Sequence, residues 1–218
     1  MKAQVCNAHG PIDTLQYLEV PDPVADSNEI LVDVRAIGVN FADTLVIEGK
    51  YQASPPLPFI PGTEIAGEVI AVGDDRLPFD IGDRVHGYSN GFGAYASKAI
   101  LPHNVAHKLP DNLSFEEGAA LMAATGTAHH ALRQRACLKQ EETLVVLGAA
   151  GGTGSAAVQI GSAIGARVIA ACSSDEKLDF ARAAGAHARE HGERCARLHG
   201  DRLRRVRRHH LAHVARQA

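Results

Sequence analysis

The residues with the clearest chemical potential are three glycines at three-residue spacing, Gly148, Gly151 and Gly154. They sit in the run Leu-Val-Val-Leu-Gly-Ala-Ala-Gly-Gly-Thr-Gly-Ser that begins at Leu144. Gly148 would allow a tight turn, Gly151 and Gly152 would let the backbone approach a pyrophosphate, and Gly154 would let a helix sit close to a strand. Ala150 and Thr153 complete the loop. A glycine triplet alone also occurs in plain strand-to-helix connections. Here the surroundings agree as well. Leu144–Leu147 suits a strand buried on both faces. Ser155–Ile164 carries Val158, Ile160 and Ile164 among Ala and Gly, a helical face fit to pack on a sheet. Arg167–Ala171 reads as a second strand. The helix would start with free N–H groups and its positive dipole end toward the phosphates. The whole is a strand–turn–helix–strand unit of the dinucleotide-binding type.

The end of the second strand bears on which dinucleotide. A site for NAD usually places Asp or Glu there to hold the ribose 2′-hydroxyl. This chain has Cys172-Ser173-Ser174, with Asp175 and Glu176 only at the start of the next helix. Ser173, Ser174 and Lys177 could hold a 2′-phosphate with no carboxylate at the strand tip to repel it, which favours NADPH. The structural alternative is an S-x-x-E capping box, Ser173 with Glu176, that merely starts the helix.

Positioning this unit requires a second body of structure. Met1 to about Leu121 reads as mostly β. Ala3–Cys6, Leu15–Val20 and Ile30–Val39 are strand-like, and Glu64–Val72 alternates. Gly82-Asp83-Arg84-Val85 opens another strand, and Gly93–Ile100 and Val105–Leu109 follow. Many short strands broken by Gly and Pro argue for a small barrel or sandwich. Ser114-Phe-Glu-Glu117 is a capping box that starts a helical region, with Ala119–Leu132 as a bridge into the nucleotide unit.

The 218 residues allow one or two domains with a sizeable core. No apolar run approaches the ~20 residues of a membrane span. The N-terminus lacks a charged-then-apolar leader pattern, so a cytoplasmic protein is expected. Cys6, Cys137, Cys172 and Cys195 are scattered, with no C-x-x-C pair to suggest a disulfide framework or a clustered zinc site. The net charge of −3 is uneven. Residues 187–218 hold 9 Arg, no Lys and 3 acids, a net of +6, whereas residues 1–186 carry −9.

In several stretches the chain resembles the medium-chain dehydrogenase/reductase superfamily, specifically its zinc-free quinone oxidoreductase branch. The resemblance rests on Gly38-Val-Asn40-Phe-Ala-Asp43, Gly49-Lys-Tyr51, Pro56-Leu-Pro58-Phe-Ile-Pro61-Gly-Thr63-Glu64, Gly67 and Val72-Gly73. It continues through Gly82–Val85, Gly93-Ala-Tyr95, Thr125–Leu132, the glycine loop and Ser173–Lys177, and covers Met1 to about Ala186. It implies an α/β plus β architecture. A GroES-like β-barrel substrate domain (1–122) would precede an incomplete Rossmann domain, a doubly wound parallel sheet (123–186), with the active site in the cleft between them. It also implies hydride transfer from NADPH to a quinone or enone. By resemblance, Asn40 lies near the nicotinamide and substrate, Thr127 contacts the nicotinamide carboxamide, and Tyr51 is a candidate donor to the reduced oxygen. Each also has a plain structural reading: Asn40 closing a strand end, Thr127 a helix residue, Tyr51 an amphipathic cover.

Zinc-dependent relatives carry Cys near the position of Asn40 and His at that of Thr63, so no metal is expected here. Glu64 alone cannot hold Zn²⁺, which wants about four ligands; beside the Pro61-Gly62 turn it reads as structural. Three departures are local. Leu45 stands where several relatives carry a pocket Tyr, and Thr153 replaces the common Val. His129-His130 replace an aromatic pair and are expected to pack on the bridging helix. The large departure follows Ala186, where an acid and a strand ending in Tyr would be expected. Instead 187–218 is Arg- and His-rich, with Arg202–Arg208 nearly unbroken. Such text is what a frame-shifted reading of a GC-rich gene gives, and a nucleic-acid-binding tail would rest on charge alone. No third strand is legible there, which would leave the sheet with an exposed edge. It would also leave open whether the chain is an active enzyme or an inactive fragment with a stable barrel. A homodimer is implied by the family, but its usual edge would be missing.

One consequence concerns metal. The purified chain should hold no stoichiometric zinc by elemental analysis. One tightly held zinc per chain, retained after deletion of residues 187–218, would overturn the metal-free reading.

Overall fold

The computed structural model describes residues 1–191 apart from 54, 90 and 91. The chain divides into two compact units, Met1–Ala123 and a second from Ala124 onward.

The first unit is built on antiparallel strands. β1 (Lys2–Val5) and β2 (Gln16–Glu19) form a ribbon. The main sheet comprises β3 (Glu29–Gly38), β4 (Glu64–Val72), β5 (Arg84–Tyr88), β6 (Lys98–Pro102) and β7 (Ala106–Lys108), in the order β6-β3-β4-β5-β7. Alternation sets the inner face: Ile30 and Val32 of β3 are fully buried, and Ile65, Val69, Val85 and Leu101 meet them from three other strands. Register shifts between β3 and β4, at Leu31/Val32 and Val34/Ala36, bend the sheet. The bridges Ala3↔Ala96 and Cys6↔Phe59 fasten the ribbon to the rest. α1 (Phe41–Ile47) joins β3 to β4, and α2 (Phe115–Ala119) packs on β3, β4 and β5. This curled sheet fits the GroES-like architecture.

Two expectations in this region need correction. The strand expected over Gly93–Ile100 begins only at Lys98. Gly93 has a φ of 109°, and the next residues bond irregularly. Tyr95 N–H donates to Pro61 carbonyl (2.9 Å), while Gln4 N–H donates to Tyr95 carbonyl (2.9 Å). Nor is Ala119–Leu132 one helix. Ser114 caps α2 as expected, its Oγ accepting from Glu117 N–H at 3.1 Å. Wide π-type turns then occupy Leu121–Thr125 and His130–Arg135, on either side of α3 (Gly126–His129). Ala123 N–H donates to a Glu64 carboxylate oxygen at 2.7 Å, and a side chain inserted into the helical ladder is a known cause of such widening. His129 and His130 are exposed rather than packed, and His130 Nδ1 lies 2.6 Å from Gln134 Oε1.

The second unit is a parallel sheet in the order β10-β9-β8, made of β8 (Thr143–Leu147), β9 (Arg167–Cys172) and β10 (Ala188–His191). α4 (Gly152–Ile164) connects β8 to β9, and α5 (Asp175–Ala183) connects β9 to β10. This order is the first half of a doubly wound sheet. Leu144, Val146, Val158, Val168 and Leu178 form its core with Leu132.

The third strand corrects the expectation that none would form after residue 186. Ala188 pairs with Ile169 and His191 with Cys172. His187 leads in, its N–H donating to Val168 carbonyl at 2.9 Å. A four-residue strand at the sheet edge is held by main-chain bonds and does not need the apolar text of a central strand. Leu144, Val146, Val168 and Ala170 are buried in one cluster with Leu132, Val158 and Leu178, whereas Val145, Leu147 and Ile169, which alternate to the opposite face, are only half-buried. The arginine run 202–208 and the question of a nucleic-acid-binding tail lie outside the described residues.

The tight seam between α4 and β8 is open to test. A Cβ on Gly161 would stand 2.6 Å from Leu144 Cδ2 and 3.0 Å from Val168 Cγ2. Gly161→Ala should therefore cost about 1–3 kcal/mol through overpacking, and Leu144→Ala about 2–5 kcal/mol through a cavity. Since the new methyl partly fills that cavity, the double variant should cost clearly less than the sum of the two. Denaturant melts of the four proteins measure this; strict additivity would show the seam is not as drawn.

Candidate functional site: a glycine loop and a buried carboxylate network

The glycine loop has the conformation its spacing suggested. Gly148 takes a φ of 64° immediately after β8, and its N–H donates to Ala171 carbonyl at 3.0 Å. The turn closes with Gly151 N–H on Gly148 carbonyl at 2.9 Å. Gly151 caps α4 in an extended conformation. The first bond within the helix is Ser155 N–H to Gly151 carbonyl at 2.7 Å, so the N–H groups of Gly152, Thr153 and Gly154 have no carbonyl to reach inside it. Any Cβ on Gly154 would overlap Gly148 carbonyl; its absence brings the helix start against the turn. Ala150 is half-buried between them. Backbone donors and a positive helix end thus gather where an anion would sit.

At the end of β9, Ser173, Ser174 and Lys177 come together as expected. Lys177 Nζ donates to Ser173 Oγ at 3.3 Å, and Lys177 N–H donates to Ser174 Oγ at 3.4 Å. The cap, however, is Ser174 and not Ser173. Ser174 is the extended residue directly before α5, with φ −145° and ψ 160°, so its hydroxyl is the one that reaches the first turn. That correction releases Ser173 from the capping role. An exposed hydroxyl and an exposed ammonium are left side by side, with no carboxylate between Cys172 and Ser174.

Within the first unit, Asn40 precedes α1 and its Nδ2 donates to Glu64 Oε1 at 2.8 Å. Glu64 is only 2 % exposed, and its second oxygen accepts from Ala123 N–H. Room for this carboxylate is made by Gly38, where any Cβ would overlap it. Asp43, also 2 % exposed, sits one turn along. Asp43 Oδ2 accepts from Asn40 N–H at 2.8 Å and from Tyr95 Oη–H at 2.9 Å. Burial pushes the Asp43 carboxyl up from its ordinary value, and the hydrogen bonds from Asn40 and Tyr95 oppose this. Burial and the adjacent Asp43 push the Tyr95 phenol up as well, which keeps its proton in place as a donor. The structure therefore places Asn40 in a network of Glu64, Asp43 and Tyr95. Sequence reasoning assigned no role to Asp43 or Tyr95. An acid three residues after Asn40 was a legible helix-start signal, whereas the 52-residue separation of Tyr95 from Asp43 left none.

Tyr51 stands apart from this network. Its ring packs against Cys6, Val46, Ile47 and Phe59, as an amphipathic cover would. Thr127 is exposed on α3. Among the described residues no group of three or more His, Cys, Asp or Glu gathers as a metal site. No helix among them is long and apolar enough to cross a membrane.

The pH dependence of the network follows from Asp43. A carboxyl whose folded value is raised favours the folded state fully below its unfolded value, near 3.8, and loses that contribution as the pH rises through the folded value. The stability of the wild type relative to Asp43→Asn should therefore fall as the pH is raised from about 4. Parallel pH–stability profiles would show that Asp43 is not desolvated.

Comparison with known proteins agrees with this geometry. The alcohol dehydrogenase GroES-like domain matches residues 26–111. The chain is 37% identical over 169 residues to the quinone oxidoreductase of Homo sapiens, covering 78% of this chain and 51% of that protein. It is 40% identical over 186 residues to quinone oxidoreductase-like protein 2 of Rattus norvegicus, covering 85% and 52%. It thus spans about half the length of the curated relatives it matches. The Escherichia coli quinone oxidoreductase complexed with NADPH superposes with a TM-score of 0.84 at 33% identity, over 92% of this chain and 63% of that one. The Thermus thermophilus quinone oxidoreductase, solved alone and with NADPH, gives 0.79 at 35% identity, over 92% and 64%. With a GroES-like sheet, a glycine loop opening α4 and quinone oxidoreductases among its relatives in both sequence and structure, the chain belongs to the quinone oxidoreductase branch of the medium-chain dehydrogenase/reductase superfamily.

Proposed function

We propose that this chain carries the machinery of an NADPH-dependent quinone reductase, transferring hydride to a quinone or enone without zinc. The observation that carries the reading is the pairing of two features in the second unit. One is the turn at Gly148 with the open start of α4. The other is Lys177 on Ser173 at the end of β9, where the strand tip, Cys172 to Ser174, carries no acid. The residues present fit a dinucleotide: main-chain donors at 152–154 for the pyrophosphate, and Ser173, Ser174 and Lys177 for the 2′-phosphate. Relatives solved with NADPH support the choice of cofactor.

Bound there, NADPH supplies a hydride equivalent, so the chain itself needs no redox-active group. Asn40 and Thr127 serve as hydrogen-bonding residues for the nicotinamide end. Asn40 is suited to this because its amide is already held by Glu64, so little rotamer freedom is lost on binding. Tyr51 is assigned as donor to the oxygen being reduced, supported by its fixed ring. The proposal carries with it the division of the chain near residue 122, a cytoplasmic location and, for the full-length enzyme, a homodimer.

The test uses the chain extended to the full length of its relatives. It should oxidise NADPH with a simple quinone acceptor. Lys177→Ala should weaken NADPH by about 1–3 kcal/mol, the worth of a charge-assisted hydrogen bond, and leave NADH nearly unchanged. Equal weakening of both dinucleotides would sink the 2′-phosphate assignment, and no quinone-dependent oxidation would sink the activity.

A further inference from the structure

We infer that Glu64 is a positioning residue, which sets which way round the carboxamide of Asn40 is held and so which of its two groups a ligand meets. The inference rests on the reading of Asn40 as a contact of the nicotinamide end, and it adds a determinant that reading does not contain.

The geometry leaves little freedom. Glu64 is buried at 2 % exposure, and each of its oxygens accepts one hydrogen bond. Oε1 takes Asn40 Nδ2 at 2.8 Å and Oε2 takes Ala123 N–H at 2.7 Å. A carboxylate only accepts, whereas a carboxamide has one donating and one accepting end. Asn40 therefore has to turn its Nδ2 toward Glu64. The backbone of Asn40 is fixed separately, its N–H held by Asp43 Oδ2 at 2.8 Å, and Asp43 is held in turn by Tyr95. Across the capping box the Asn40 side chain also faces Asp43 N–H, but that N–H has the Asn40 carbonyl as acceptor at 3.0 Å, so Glu64, which holds Nδ2, decides the turn of the amide plane.

Replacing Glu64 by Gln keeps the shape and changes this logic. Gln has one accepting oxygen for two donors. Ala123 N–H is main chain and cannot reverse, so it claims that oxygen. The amide nitrogen of the introduced side chain then faces Asn40, and two N–H groups cannot pair. Asn40 must turn over and present its oxygen to that nitrogen, which exchanges the groups it offers on its other side. A residue with a merely structural role would lose some stability on this change without altering what a ligand at Asn40 encounters.

The experiment has two arms on wild type and Glu64→Gln. The first is NMR of the Asn40 side-chain amide in this chain. In the wild type one Nδ2 proton should be shifted downfield and slow to exchange, as a donor to a buried carboxylate. In Glu64→Gln that signature should be lost. An Asn40 amide with the same shifts and exchange in both proteins overturns the inference. If Glu64→Gln does not fold, the wild type still decides: two Nδ2 protons exchanging as fast as those of the exposed Asn7 would overturn it. The second arm compares binding of NADPH with its 3-acetylpyridine analogue, in which a methyl replaces the carboxamide NH₂. The ratio of the two affinities should change about five- to tenfold on Glu64→Gln, the weight of one hydrogen bond. An unchanged ratio with a turned Asn40 overturns the ligand-facing part. Failure of either protein to bind NADPH at all, with the amide turned, counts against the proposed function while supporting the positioning.

Discussion

The buried carboxylate of Glu64 is the interaction on which the first unit's candidate site depends. It opens β4, accepts from the residue that starts α1, and accepts from the main chain at Ala123. Three segments far apart in sequence are thereby fixed to one group. A carboxylate at 2 % exposure costs several kcal/mol to bury unless it is fully hydrogen-bonded, so these donors are a requirement of the fold as well as a feature of the site. Its place constrains two other segments. Gly38 has to lack a side chain, because Glu64 occupies the space its Cβ would take. The chain at 121–125 has to leave regular α-helical bonding, because Ala123 N–H is engaged elsewhere.

Asp43 extends the same logic. It too is buried, and its donors are one main-chain N–H and one phenol, with no cation among them. Desolvation therefore outweighs the hydrogen bonds and its carboxyl is pushed up. Two acids a short distance apart in the fold thus play different parts. Glu64 holds the amide of Asn40, and Asp43 holds its backbone. Together they leave Asn40 pre-oriented, which is the condition under which a single hydrogen bond contributes most to binding.

The second unit depends on closeness rather than on charge. Gly154 against the turn and Gly161 against Leu144 let α4 lie directly on the sheet, and that approach is what aims the helix start at the loop. The sheet edge beyond β9 is completed by a strand whose text, Ala-Arg-Glu-His, is not that of a buried strand. Main-chain pairing with β9 is sufficient there, since edge strands answer to hydrogen bonding before they answer to side-chain packing.

By itself the sequence determined the local devices. The turn at Gly148, the start of α4, the cap at Ser114 and the alternation of β3 and β4 all follow from neighbouring residues, because turn, cap and strand preferences are set within a few positions. The cluster of Ser173, Ser174 and Lys177 was legible for the same reason, although which serine caps the helix was decided by the extended conformation of Ser174. Only the tertiary structure decided the rest. Asn40 meets Glu64 across 24 residues, Asp43 meets Tyr95 across 52, and Glu64 meets Ala123 across 59. No periodicity links such partners, since their contact depends on how the sheet curls. The broken helix after Ala119 and the strand at 188–191 escaped sequence reasoning on the same ground: each is formed by hydrogen bonds to main chain or side chain brought from elsewhere, whose presence local text does not record.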